Sequence, residues 1–177
     1  YRSSRGLGDV YKRQKHIITD DFFGIILADD LILSEPGCLK QLLEIHEKTQ
    51  SSVLGVFSAS ENQVSNYGVI SSKNIDGIEK VDGIVEKPKP ADAPSNLAVF
   101  GRYILSKDIF LNIEQTKPGL NNEIQLTDAI QDLISNQDVF ALEFEGRRFD
   151  CGSKEGYISA IIDRALSIDK YKSIIEK

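Results

Sequence analysis

The chain has 177 residues, with 21 basic and 27 acidic side chains and a formal charge of −6. This length fits one domain able to bury a core of its own, and an apolar share of 41% argues against a disordered chain. The acidity argues against general binding of nucleic acid or anionic membrane, and no apolar run nears the roughly 20 residues that cross a bilayer.

Residues 1–14 (YRSSRGLGDVYKRQ) carry Arg2, Arg5, Lys12 and Arg13 against the single acid Asp9. They differ in composition from the rest of the chain and read as a basic tail, the start of a fragment, or a foreign junction of cloning or assembly. Residues 22–28 (FFGIILA) form a short apolar run that predicts a strand buried on both faces. Pro36 opens a predicted helix to about Thr49, with Leu39, Leu42, Leu43 and Ile45 on its buried side. Residues 52–58 (SVLGVFS) predict a second buried strand, and strand, helix, strand over this length implies a crossover and a parallel sheet.

Residues 67–70 and 78–86 predict two strands around a polar turn, and 87–96 (KPKPADAPSN), with three of the five prolines, a stiff loop. Residues 97–105 predict another strand, followed by a short helix from Ser106 or Lys107. Ile124, Leu126, Ala129, Ile130, Leu133 and Ile134 recur at helical spacing and predict an amphipathic helix over 123–136. Strands are expected at 139–144 and 147–151, and Ser153 should cap a long helix to about Ser167, with a helical tail after it.

Asp29 and Asp30 end the first strand, where open α/β sheets place ligands, and carboxylates there suit Mg²⁺. A plain turn or helix cap is the alternative. Glu86 could accept sugar hydroxyls, and Lys87 could hold a phosphate if Pro88 bends the chain; an exposed ion pair is the bland reading. Asp150 stands before Gly152 and the Ser153 cap, either as a turn residue or as a partner to Asp29 on a divalent metal. Gly68 could admit a ligand to the backbone. Cys151 has no CxxC partner and reads as packing, and the two cysteines cannot form a disulfide framework. A reducing cytoplasm is the expected compartment.

Taken in order, the pieces form a longer pattern. They are Arg5-Gly6-Leu7-Gly8, Leu27-Ala28-Asp29-Asp30, Asn66-Tyr67-Gly68-Val69-Ile70, Val85-Glu86-Lys87-Pro88-Lys89-Pro90, Ala93-Pro94-Ser95-Asn96-Leu97-Ala98, Gly101-Arg102-Tyr103, the 122–128 stretch NEIQLTD and the 149–154 stretch FDCGSK. This series resembles the bacterial UTP–glucose-1-phosphate uridylyltransferases, or UDP-glucose pyrophosphorylases, from about Lys15 to the end. The resemblance implies an α/β fold with a Rossmann-like nucleotidyltransferase sheet, mixed and mostly parallel, flanked by helices and lacking its N-terminal part. It implies that residues 15–177 are the C-terminal portion of one such domain.

It also implies a reaction. A phosphate oxygen of glucose 1-phosphate attacks the α-phosphorus of UTP, pyrophosphate leaves and UDP-glucose forms. By the match, Asp29 and Asp150 hold Mg²⁺, Glu86 accepts sugar hydroxyls and Lys87 contacts the sugar-linked phosphate. Gly68 offers backbone to the sugar, Val99 lines it, the 123–128 helix start shapes the sugar side, and Gly6 and Leu7 lie against the uracil. A homo-oligomer is expected of the full-length protein. Two departures stand out: the family's Gly-rich loop with its Arg and Lys is missing from these 177 residues, and Asp9-Val10 replaces the His-Ala that comes after Gly-Leu-Gly. The alternatives are a non-catalytic truncated paralogue that binds sugar phosphate, a nucleotidyltransferase using dTTP or ATP, and a signalling receiver domain. The last fails on spacing, because no Asp lies midway between Asp30 and Lys87.

Overall fold

The computed structural model describes residues 7–119 and 122–175. Among the described residues eight strands and six α-helices succeed one another in chain order. The N-terminal part comprises α1 (Leu7–Gln14), β1 (Phe22–Ile26), β2 (Asp30–Leu33), α2 (Cys38–Thr49) and β3 (Ser52–Ser58). Next come β4 (Gly68–Ile75), β5 (Ile78–Glu86), β6 (Leu97–Ser106) and α3 (Ile109–Gln115). The chain continues with α4 (Leu126–Ile134), β7 (Val139–Glu143), β8 (Arg147–Asp150), α5 (Lys154–Leu166) and α6 (Asp169–Ile175).

Six strands form one sheet in the order β1-β6-β3-β7-β5-β4, and β2 pairs with β8 in a separate two-stranded ribbon. The expected mixed sheet is present, but its parallel character needs correction. β1, β3, β7 and β4 run in one direction, yet β3–β7 is the single parallel pairing among the described residues. The crossover from β1 through α2 to β3 does return in the same direction. However, β6 inserts between the two strands, antiparallel to both.

Alternation along the strands divides the core. Leu54 and Val56 of β3 join Val99, Tyr103 and Leu105 of β6 beneath α3 and α4. On the other face, Val53, Phe100 and Ile104 pack with Cys38 and Leu42 of α2. Covered on both faces, β3 is buried from Ser52 to Val56, as its unbroken apolar run predicts. α4 contributes Leu126, Ala129, Ile130 and Leu133, an i, i+3, i+4, i+7 stripe. β4 and β5 join through Asp76-Gly77, both with positive φ, the backbone of a tight hairpin turn.

Several expectations shift. β1 lies at an edge of the sheet, with Gly24 exposed and Ile26 60% exposed, so it is not buried on both faces. α2 starts at Cys38, and Leu43 faces outward. α4 starts at Leu126 rather than at 123. Asn122 is left-handed and the Glu123 carbonyl accepts the Gly119 amide, which holds residues 123–125 out of the helix. The Ser153 cap holds: its hydroxyl accepts the Gly156 amide at 3.0 Å.

Candidate active site

A cleft of about 480 Å³ opens between the end of β1, the start of β4, the end of β5 and the middle of β6, beside the β2–β8 ribbon. Asp29, Gly68, Glu86, Lys87, Val99 and Asp150 all line it. The structure therefore gathers six of the eight sequence-predicted site residues into one concavity. Gly6 lies outside the described residues. Leu7 opens α1, but its side chain also lies outside them.

Gly68 and Glu86 sit opposite each other in the β4–β5 ladder. A Cβ on Gly68 would lie 2.6 Å from Thr127 Cγ2, 3.0 Å from Val99 Cγ2 and 3.4 Å from Glu86 Oε2, so the site requires glycine there. The Thr127 hydroxyl donates to Glu86 Oε2 at 3.0 Å, fixing the carboxylate from the first turn of α4. Lys87 would point to the opposite side of an extended strand. Instead its φ is +45°, and its Nζ comes within 3.5 Å of Glu86 Oε1. Left-handed backbone is unfavourable for a side-chain-bearing residue, and helical backbone before proline more so. The turn is held by the Lys87 amide, which donates to the Tyr67 carbonyl at 3.0 Å.

The adjacent aspartates part company. Asp30 is buried. Its Oδ2 accepts the Gly101 amide at 2.9 Å and its Oδ1 accepts Arg148 Nε at 2.5 Å. Asp29 is exposed to the cleft, and its carbonyl accepts the Cys151 amide at 2.7 Å. Asp30 pairs directly with Asp150 in the β2–β8 ribbon, which brings Asp29 beside Asp150. A Cβ built on Gly152 would stand 3.1 Å from Asp150 Oδ1 and 3.4 Å from Asp29 Oδ2. The glycine thus leaves clear the space that both carboxylates face.

That donor set fits a divalent cation of the magnesium type, which takes one or two carboxylates and completes its shell with phosphate oxygens and water. Among the described residues no larger cluster of His, Cys, Asp and Glu offers an all-protein cage. Tyr11 of α1 is buried near Asp29, and burial, reinforced by that carboxylate, pushes its phenol up to about 12.

Sequence reasoning missed Tyr67, Arg148 and Arg102. Tyr67 donates to Asp150 Oδ2 at 2.7 Å, and Arg102 donates to the carbonyls of Leu27, Gly101 and Asp30. Arg148 stood in the RRFD stretch without any sequence signal of its partners. Of the 123–128 stretch, Glu123, Gln125, Leu126 and Thr127 line the cleft, whereas Asp128 lines a separate groove with Asp132.

Comparison with known proteins agrees with this arrangement. A family profile described as nucleotidyl transferase matches residues 2–165. The chain belongs to the nucleotidyl transferase family. Two Streptococcus pyogenes relatives are UTP–glucose-1-phosphate uridylyltransferases. One, from serotype M1, is 44% identical over 174 residues, covering 95% of this chain and 57% of the relative. The other, from serotype M3, is 42% identical over 174 residues, covering 95% of this chain and 58% of the relative. The chain thus spans little more than half the length of these relatives.

A crystal structure of UDP-glucose pyrophosphorylase complexed with UDP-glucose superposes with a TM-score of 0.90 at 42% identity, covering 94% of this chain and 64% of that one. A UTP-bound enzyme of the same kind from Acinetobacter baumannii gives 0.82 at 33% identity, covering 97% and 62%. The nucleotidyl transferase fold, a mixed sheet flanked by helices, is common to this chain and both neighbours.

Proposed function

We propose that this chain is the sugar-phosphate-binding portion of a UTP–glucose-1-phosphate uridylyltransferase, which transfers UMP from UTP to glucose 1-phosphate and releases pyrophosphate and UDP-glucose. One observation carries the reading. Glu86, Lys87, the Gly68 backbone and the Asp29–Asp150 pair all line a single cleft. The relatives 42–44% identical to the chain bear that enzyme's name.

Each residue then has a task. Glu86, fixed by Thr127, accepts hydrogen bonds from sugar hydroxyls. Gly68, bare of a side chain, lets the sugar lie against the strand, and Val99 supplies an apolar floor. Lys87 places its ammonium on the sugar-linked phosphate, a point charge on an anion. It orients the phosphate oxygen that attacks the α-phosphorus. Asp29 and Asp150 would hold Mg²⁺, which when bound supplies positive charge to offset the negative charge developing on the phosphates. No covalent intermediate is needed, so the chain's contribution is position and charge. Gly6 and Leu7 are assigned to the uracil.

Residues 15–177 are taken as one portion of a single nucleotidyltransferase domain, with 1–14 apart from it. A cytoplasmic, homo-oligomeric enzyme is the expected whole. Among the described residues no helix is long and apolar enough to cross a membrane.

Calorimetric titration of the chain with UDP-glucose and with glucose 1-phosphate in Mg²⁺ tests the reading. Saturable binding of both, lost in Glu86→Gln and Lys87→Ala, is expected, with UTP alone binding weakly. Absence of binding by both sugar ligands would refute it.

A further inference from the structure

Arg148 is an expensive residue for its position. Its side chain is 11% exposed, and its guanidinium carbon stands 4.5 Å over the Phe57 ring, 4.9 Å over Tyr67 and 5.7 Å over Phe100. A buried Arg–Asp pair adds little to stability compared with apolar packing of the same volume. The pair with Asp30 is therefore better explained by what Arg148 does to its other neighbour. Arg148 donates to the Tyr67 hydroxyl at 3.4 Å, and that hydroxyl lies 2.7 Å from Asp150 Oδ2.

A guanidinium has donors and no lone pair to offer, so the hydroxyl oxygen must accept from Arg148 and its hydrogen must point to Asp150. A phenol of ordinary acidity, about 10, keeps that hydrogen at neutral pH. The other oxygen, Asp150 Oδ1, takes the Gly152 amide at 3.1 Å. Both oxygens of Asp150 are thus pinned by donors, and the carboxylate is held facing the space it shares with Asp29.

We propose that Arg148 and Tyr67 are positioning residues, a one-way hydrogen-bond relay that fixes the Asp150 carboxylate for a divalent cation. The inference rests on the metal pair of the proposed function. Partners of this kind behind a metal-binding carboxylate typically govern affinity by about 10–100-fold.

The test is Mn²⁺ titration of the whole chain, with free Mn²⁺ read by electron paramagnetic resonance and no substrate present. Tyr67→Phe keeps the ring over Arg148 and deletes only the hydroxyl. It should weaken Mn²⁺ binding by about tenfold, with the thermal midpoint unchanged. In an Asp150→Asn background the same substitution should have no further effect. Arg148→Lys, which lacks the guanidinium's spread of donors, should not restore parental affinity.

Parental binding that Asp29→Asn and Asp150→Asn abolish but Tyr67→Phe leaves within twofold would overturn the relay alone. Parental binding insensitive to both aspartates, or absent, would overturn the metal pair and the relay with it.

Discussion

Asp29 and Asp30 are chemically identical neighbours, and the structure assigns them opposite costs of neutralisation. Asp30→Asn removes the charge partner of Arg148 where the two side chains are 9% and 11% exposed. Breaking a buried pair from one side typically costs about 3–5 kcal/mol. The lower end applies, because the Asn oxygen can still accept the Gly101 amide and Arg148 keeps its three ring faces and Asp150 Oδ2 at 3.9 Å. A loss of about 3 kcal/mol, with a urea slope of about 2 kcal/mol per molar, lowers the unfolding midpoint by about 1.5 M. Asp29→Asn alters an exposed carboxylate and leaves the main-chain bond to Cys151 in place, so its change should stay within about 0.5 kcal/mol. Paired urea denaturation monitored by far-UV circular dichroism measures both. Equal shifts, or a shift below about 0.3 M for Asp30→Asn, roughly 0.6 kcal/mol on that slope, would refute the division of roles.

The packing dictates two further outcomes. Gly68→Ala puts a methyl 2.6 Å from Thr127 Cγ2. It should cost about 1–3 kcal/mol and, by displacing Thr127 from Glu86, abolish UDP-glucose binding in calorimetry. Burial pushes the Cys38 thiol from 9.0 up to about 11, so between those values the unfolded chain has lost a proton that the folded chain retains. Stability should therefore be undiminished below pH 9 and decline as pH rises from 9 to 11; urea midpoints across that window, steeper in the parent than in Cys38→Ala, check the sign.

Much of the scaffold was legible because local chemistry decides it. The unbroken SVLGVFS run gives β3 its buried place, Asp76-Gly77 its hairpin, and Ser153 its helix start. The Gly68–Glu86 part of the cleft was legible for a related reason, since the two residues flank that hairpin in register. The inaccessible parts depend on distant segments. β2 and β8 are four residues each and carry no periodicity, and only their pairing reveals which aspartate turns to the cleft. The ring cage of Arg148 comes from β3, β6 and the residue before β4. The edge position of β1 depends on β6 intruding beside it, which no reading of residues 22–28 alone contains.

The ribbon that brings Asp29 beside Asp150 has a consequence for biosynthesis. Arg148 and Asp30 meet across 118 positions of chain, whereas the β4–β5 hairpin closes locally. Entropy favours the short closure first. During synthesis Gly68 and Glu86 can thus come together while the aspartates are still apart. The carboxylate pair forms only after Asp150 has left the ribosome, so a nascent chain stopped short of β8 can pair Gly68 with Glu86 but lacks the carboxylate that stands beside Asp29.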